Sequence, residues 1–181
     1  MRNTIGAHGF TALELLVTLA TTAVLVAVAV PSLDAMIKRS RLTAAHNEFI
    51  AAIYQLRSEA AKRNRVVKMC RSIDLGTPSC DTSESGGWHT GWVIWVDSDN
   101  SNEIDGDEYP ISVHGPFADG VHLVGNTNVA QRVAFRSTGA TYGAGNGTFT
   151  VCVEGGTSKR EIVLSRPGRL RTRDLASDGN C

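Results

Sequence analysis

The 181-residue sequence predicts an α+β fold in which one long N-terminal helix packs on an antiparallel β-sheet head. Three observations carry this expectation. A stretch of 19 residues without a charge, LLVTLATTAVLVAVAVPSL, fills positions 15–33. Beyond it, Leu42, Ala45, Phe49, Ile53, Leu56 and Ala60 recur at three- and four-residue steps. After Arg65 the pattern changes to short runs rich in Val, Ile, Phe and Trp between clusters of Gly, Asn, Ser and Asp, with no second long helix.

The charge-free stretch would span about 28 Å as a helix, close to the hydrocarbon thickness of a bilayer. A cleaved secretory signal would put a basic n-region before a shorter apolar stretch, whereas here a short polar leader with Arg2 and His8 comes directly before the long run, so it reads as a retained anchor. The amphipathic segment that follows continues the same helix, and Pro31 is expected to loosen or kink it by removing one backbone donor. Strands are predicted over 65–71, 92–97, 109–114, 121–124, 132–137, 148–154 and 161–165, joined by turns and therefore antiparallel. The Gly-rich stretch 139–147 reads as a hairpin connection. It lacks the Lys-Ser/Thr ending of a phosphate-binding loop and opens no helix.

The formal charge is zero, from 18 basic and 18 acidic residues, but the charges fall in blocks. Residues 1–71 carry ten basic and four acidic groups, residues 72–131 carry ten acidic and no basic groups, and residues 132–181 carry eight basic and four acidic groups. The neutral total is thus a cancellation and says little about partners.

Cys70, Cys80, Cys152 and Cys181 form no C-x-x-C pair and have no His at zinc-ligand spacing, so disulfides are expected and no metal or cofactor is. Pairing by sequence proximity would join Cys70 to Cys80 and Cys152 to Cys181, each contributing about 3 kcal/mol in an oxidising compartment.

Glu14 stands at the start of the apolar run, where a carboxylate is costly unless it is paired or at the interface. The stretch Gly9-Phe10-Thr11-Ala12-Leu13-Glu14-Leu15-Leu16-Val17-Thr18, with the apolar helix and Pro31 behind it, resembles the class III signal of type IV pilins and pseudopilins. The resemblance implies a leader over 1–9, cut by a prepilin peptidase between Gly9 and Phe10, and methylation of the new Phe10 amine. It implies a transmembrane and assembly helix over 10–33 and a globular head over 34–181. It also gives Glu14 a partner, the N-terminal amine of a neighbouring subunit.

Three constellations in the head could carry chemistry. Residues 97–108 hold six carboxylates, and Asp97, Asp99, Ser101 and Glu108 fall on calcium-ligand positions of an EF-hand loop. However, Asn102 replaces the sharp-turn glycine and a strand precedes the loop where a helix should. The alternative is a solvated acidic loop, which the pilin resemblance favours, since FimT- and GspH-like proteins share a Gly-Trp-x-x-x-x-Asp strand followed by a polar loop. His46, His89, His114 and His122 have no Ser or Cys nucleophile in a recognisable setting beside them, so the chain reads as not an enzyme.

The third constellation is the basic stretch with Lys159, Arg160, Arg166, Gly168, Arg169, Arg171 and Arg173. Run extended, Arg169, Arg171 and Arg173 would project to one side at steps of about 6.6 Å while Leu170 anchors the other. Guanidiniums in a row suit a polyanion backbone, and Gly168 would leave room for close approach. A solvated strand end balanced by Asp174 and Asp178 is the alternative. The Gly168-Arg169-Leu170-Arg171 stretch resembles the Gly-Arg-x-Arg pattern of FimT-like minor type IV pilins. That resemblance implies capture of DNA through its phosphates, with little sequence preference, during natural transformation. Partners so implied are DNA, the major and other minor pilins, the prepilin peptidase and the inner membrane. The implied location is the bacterial inner membrane before assembly, then the periplasm and the extracellular pilus near its tip. GspH-like pseudopilins of type II secretion share the anchor, and an assembly-only minor pilin would need no basic strand.

Overall fold

The computed structural model describes residues 9–74, 76–77, 79–83, 86–106, 108–143, 145–179 and 181. The leader residues 1–8 and Asp107 of the acidic loop lie outside them. Helix α1 (Ala12–Arg63) precedes eight strands: β1 (Val67–Arg71), β2 (Trp92–Val96), β3 (Pro110–His114), β4 (Val121–Gly125), β5 (Arg132–Phe135), β6 (Gly147–Val153), β7 (Ser158–Leu164) and β8 (Leu170–Ala176).

Two compact units divide the chain, the first ending at Ile37 and the second running Lys38–Cys181. In the first, α1 opens on a capping box. The Thr11 hydroxyl accepts the Glu14 N–H at 3.2 Å, and the Glu14 carboxylate accepts the Thr11 N–H at 3.5 Å. Glu14 therefore terminates the helix at the backbone, a role its Thr-x-x-Glu spacing allows. The hydroxyls of Thr18, Thr21 and Thr22 donate to carbonyls one turn back, so each polar group is satisfied within the helix and suits an apolar surrounding. Leu13, Leu16, Leu19, Val24, Leu25 and Val28 are exposed, and α1 is long and apolar enough to cross a membrane. Helix α1 continues through Pro31, where one missing N–H costs a single hydrogen bond without ending the helix.

In the second unit α1 buries Leu42, Ala45, Phe49, Ile53, Leu56 and Ala60, the stripe its spacing predicts, together with Ala52 and His46. The strands form two antiparallel four-stranded sheets, ordered β3-β2-β1-β5 and β4-β6-β7-β8. Phe49, Trp88, Trp92 and Phe149 meet edge to face at the centre of the core, with ring centroids 4.8–5.7 Å apart. Each large apolar side chain fully buried here contributes about 1.5–3 kcal/mol. A smaller cluster of Cys70, Val93 and Trp95 lies apart from this core, covered by Cys80 of the Cys70–Cys80 disulfide and by Ile104.

Three departures from the predicted elements bear on function. Strand β5 stops at Phe135 because Arg136 opens a turn closed by the Gly139 N–H on the Arg136 carbonyl, 2.9 Å, with Gly139 in the left-handed region. Strand β7 begins at Ser158, three residues before the expected start, so Lys159 and Arg160 are strand residues. The stretch after Gly168 is β8, hydrogen-bonded along its length to β7, where the sequence suggested only an extended arm.

Candidate nucleic-acid interface

Strand β8 is the last strand of its sheet, and its register with β7 sets where each charge sits. Leu164 pairs with Leu170, Val163 with Arg171, Ile162 with Thr172, Glu161 with Arg173, Arg160 with Asp174 and Lys159 with Leu175. Side chains alternate between faces. Ile162 and Leu164 are buried in the core, which puts Leu170, Thr172 and Asp174 on the core side. Arg171 and Arg173 then fall on the outer face, and both are exposed. Arg169, one step before the strand, has the same parity and is exposed too. Lys159 shares that outer face from β7.

The hairpin that presents these arginines is fixed from several sides. Gly168 donates to the Ser165 carbonyl at 2.8 Å and then takes a φ of +80°, while the Ser165 N–H and hydroxyl both donate to the Arg169 carbonyl at 3.0 Å. This is a tight turn followed by a left-handed glycine, a common three-residue hairpin loop. Arg57 of α1 donates to the Gly168 carbonyl at 3.1 Å. Thr141 donates its N–H and its hydroxyl to the Arg166 carbonyl at 3.0 and 3.1 Å. On the core side the His46 ring bonds Thr172 at 3.1 Å, tying β8 to α1. Beyond the strand, the Cys152–Cys181 disulfide holds the chain end to β6.

Two of the basic-stretch residues behave differently from the sequence expectation. Gly168 is buried, and a Cβ there would stand 2.2 Å from the Gly139 carbonyl oxygen and 2.9 Å from Phe135. The space that glycine leaves is filled by the protein's own backbone. Arg160 turns to the core side, where its Nε donates to Asp174 at 2.7 Å and its Nη1 reaches the Thr43 hydroxyl at 3.3 Å. Its charge is spent on fixing β7, β8 and α1 together. By contrast, among the described residues no carboxylate lies within ion-pairing distance of Lys159, Arg166, Arg169, Arg171 or Arg173.

The acidic loop is organised in the opposite sense. The Lys68 ammonium of β1, almost wholly buried, pairs with Asp97 and donates to Asn100 Oδ1 at 2.9 Å and Asn102 Oδ1 at 2.8 Å. Asp97 also accepts the N–H groups of Asn100 and Asn102, whose φ values of +67° and +69° asparagine tolerates better than most residues. The Glu108 carboxylate accepts the Ser98 N–H, and Asp99 accepts the Ser101 N–H at 2.9 Å, which holds the Asp99 carboxyl below its usual range. Carboxylate oxygens of Asp97, Asp99 and Glu108 do come within 4.8 Å of one another. Of these three the Lys68 ammonium engages Asp97 alone, and the Glu108 Oε2 is buried without a hydrogen-bond partner among the described residues. The loop closes on β1 and β2 of the first sheet, while the arginines line the β8 edge of the second; Asn102 of the loop and Leu164 of β7 nevertheless line one cavity of about 170 Å³. Among the described residues no ion pair joins the two.

Each of the four described histidines makes a side-chain contact. His46 bonds Thr172, His114 stacks on Trp92 at 3.9 Å and bonds Glu48 at 2.6 Å, and the His89 and His122 rings stand 5.0 Å apart. Burial holds the His89 imidazole below its usual range, against a smaller opposing effect of the Leu123 backbone. Gly9 and Phe10 are exposed and precede the first residue of α1.

The family model for the type II transport protein GspH matches residues 45–168. The match stops at Gly168, so the arginines of β8 lie beyond it. Two crystal structures of the type IV minor pilin FimU of Pseudomonas aeruginosa PAO1 superpose with TM-scores of 0.57 and 0.60, at 20% and 21% identity; they cover 76% and 80% of this chain and 98% of FimU. The minor pseudopilin EpsH from the Type 2 Secretion System of Vibrio cholerae superposes with a TM-score of 0.50 at 12% identity, covering 75% of this chain and 97% of EpsH. At these identities the likeness shows a shared fold. No curated protein matches the chain.

Proposed function

The chain belongs to the GspH family, a minor pilin or pseudopilin with one N-terminal apolar helix, and on that premise we propose that it is a minor type IV pilin that binds DNA. Arg169, Arg171 and Arg173 grip successive phosphates along the outer face of β8, and Arg166 and Lys159 widen the basic field. The observation that carries this reading is the set of exposed, unpaired arginines on a strand already held by β7, α1 and the Cys152–Cys181 disulfide. Little conformational freedom is left to lose on binding. Contacts to phosphate confer affinity without sequence preference, and that affinity falls steeply with salt. A few phosphates per subunit give weak binding, strengthened where several sites engage one duplex.

The remaining roles follow the pilin resemblance. A prepilin peptidase cuts between Gly9 and Phe10, and the new amine is methylated. Before cleavage Glu14 is occupied by the Thr11 capping box. After cleavage it pairs with the Phe10 amine of a neighbouring subunit, and that opposite charge offsets the cost of desolvating the carboxylate among the flanking leucines. The chain then passes from the inner membrane through the periplasm into the pilus near its tip, among major and other minor pilins, and supports DNA uptake in transformation.

Every core residue lies at Leu42 or beyond, so residues 38–181 form a suitable soluble head. Titrating that head with duplex DNA at low and moderate salt, alongside Arg169→Gln and Arg171→Gln, tests the reading. Binding that weakens with salt and in both variants is expected. No binding at low salt, or binding indifferent to both substitutions, leaves the secretion-pseudopilin and assembly-only readings in its place.

A further inference from the structure

Each sheet of the head ends in two edge strands, β3 and β5 in the first and β4 and β8 in the second. The chain itself closes two of these edges. Along β5, the Tyr142 N–H donates to the Ala134 carbonyl and the Arg136 N–H to the Ala140 carbonyl, both at 2.8 Å, and Thr141 is bridged to Phe135. Against β4, the His89 ring accepts the Leu123 N–H at 3.3 Å, and Gly125 folds onto the Val129 carbonyl oxygen, which a Cβ there would approach to 2.3 Å. Strands β3 and β8 differ from these. Among the described residues, no hydrogen bond from outside their sheets reaches the backbone of either strand. An open edge presents a row of N–H and C=O groups that can pair with another strand.

Both open edges expose apolar side chains. Tyr109, just before β3, is 76% exposed, Val113 within β3 is 36% exposed and Leu175 on β8 is 37% exposed. The charges at the two edges are opposite. Residues 72–131, which include β3, hold ten acidic and no basic groups. Glu103 and Asp105, on the loop that enters β3, stand apart from the inward cluster around Lys68. Both are exposed, and among the described residues no cation lies within ion-pairing distance of them. The Asp105 carbonyl accepts the Glu108 N–H at 2.9 Å, a turn that leads the chain into β3 beside these two carboxylates. Strand β8 carries Arg171 and Arg173, with Arg169 just before it. Pairing β3 with β3 would set acidic loop against acidic loop, and pairing β8 with β8 would set arginine against arginine, and both repel. Of the three pairings, β3 against β8 alone joins opposite charges.

We propose that the head associates with a second copy of itself by strand addition, the β3 edge of one copy pairing with the β8 edge of the next, with Glu103 and Asp105 drawn to the β8 arginines. The joint extends over the five residues of β3, about 17 Å, so it supplies few hydrogen bonds and is weak. It is also heterologous. Each pair keeps one free β3 edge and one free β8 edge, so association continues head to tail into open chains and does not stop at a two-fold dimer. Pro110 suits its place, because a residue without an N–H is tolerated at the first position of an edge strand. The inference does not rest on DNA binding, since the edges pair through their backbone groups and the association is read with no DNA present.

The test uses the head, residues 38–181, whose core lies wholly at Leu42 and beyond, in sedimentation velocity without DNA from about 10 µM to about 1 mM. Association that grows past the dimer with concentration and weakens at high salt is expected, with amide hydrogen exchange slowing along 110–114 and 170–176. Two variants, one with Glu103→Gln and Asp105→Asn, the other with Arg169→Gln, Arg171→Gln and Arg173→Gln, should each weaken it about tenfold, and Lys62→Gln on the exposed side of α1 should leave it unchanged. Mixed together, the two variants should form a one-to-one complex and nothing larger, because the first still offers an intact β8 and the second an intact β3. A closed dimer that does not grow, exchange that slows elsewhere, association indifferent to both variants, or a mixture no tighter than either variant alone overturns the inference. A head that stays monomeric throughout also overturns it and leaves the two edges to a different pilin.

Discussion

The acidic loop at 97–108 and the basic strand β8 carry charge at similar density, yet their charges have opposite uses. The loop turns its oxygens inward. Asp97, Asn100 and Asn102 close on the buried Lys68 ammonium, while Asp99 and Glu108 hold the loop's own N–H groups. Strand β8 spends Asp174 and Thr172 on Arg160 and His46 toward the core and leaves Arg171 and Arg173 facing solvent. A cluster of like charge is thus no measure of a site. What marks the candidate interface is that its cations are unpaired while their backbone is rigid.

The largest expected effect tests the loop side of this contrast. Lys68→Met removes one partner of a buried pair and leaves the Asp97 carboxylate uncompensated, which should cost the head about 3–5 kcal/mol in denaturant unfolding. A loss below about 1 kcal/mol would mean that the loop does not depend on its internal cation. Next comes the turn that presents the arginines. Gly168→Ala forces a side chain into a left-handed conformation and against the Gly139 carbonyl, at a cost of about 1–3 kcal/mol. It should also weaken DNA binding without removing a charge, and unaltered affinity would show that the turn geometry is irrelevant to the interface.

Removing the charge without touching the turn is the complementary case. Arg171→Gln should lower DNA affinity about tenfold at low salt and leave thermal stability within about 0.5 kcal/mol, as expected for an exposed side chain. A variant that unfolds early would place Arg171 with the structural group. The smallest effect belongs to His89, whose pKa is held low by burial. The unfolded chain takes up the proton first, so this contribution is complete above about pH 6.5 and is lost as pH falls from there through the folded value. His89→Gln should flatten that part of the stability profile, and an unchanged profile would assign the acid sensitivity to other groups.

Most of the fold was legible from periodicity. The stripe from Leu42 to Ala60 and the strands with a clear apolar face follow from burial, which the sequence records directly. Strand β8 was not legible as a sheet strand. It is anchored by Leu170 at one end only, and its core-side row of Thr172 and Asp174 is polar, so edge pairing with β7 and hydrogen bonds to α1 hold it. The start of β7 at Ser158 was hidden for the same reason, since Lys159 and Arg160 read as loop. Lys68 and Asp97 lie 29 positions apart and meet only because β1 and β2 pair, which places Val67 opposite Val96. The sequence could name the outward arginines by their spacing. It could not separate Arg160 from them, because that depends on which face the β7 register assigns to it.

The most direct measurement is the salt dependence of DNA binding by the head, compared between the parent protein and variants with Arg169, Arg171 and Arg173 replaced by Gln singly and together. If these unpaired arginines neutralise phosphates, the slope of log K against log salt should shrink by about one for each arginine removed, with sequence preference unaffected. A slope that stays the same in the triple variant would contradict the account, because binding would then owe nothing to the charges on β8.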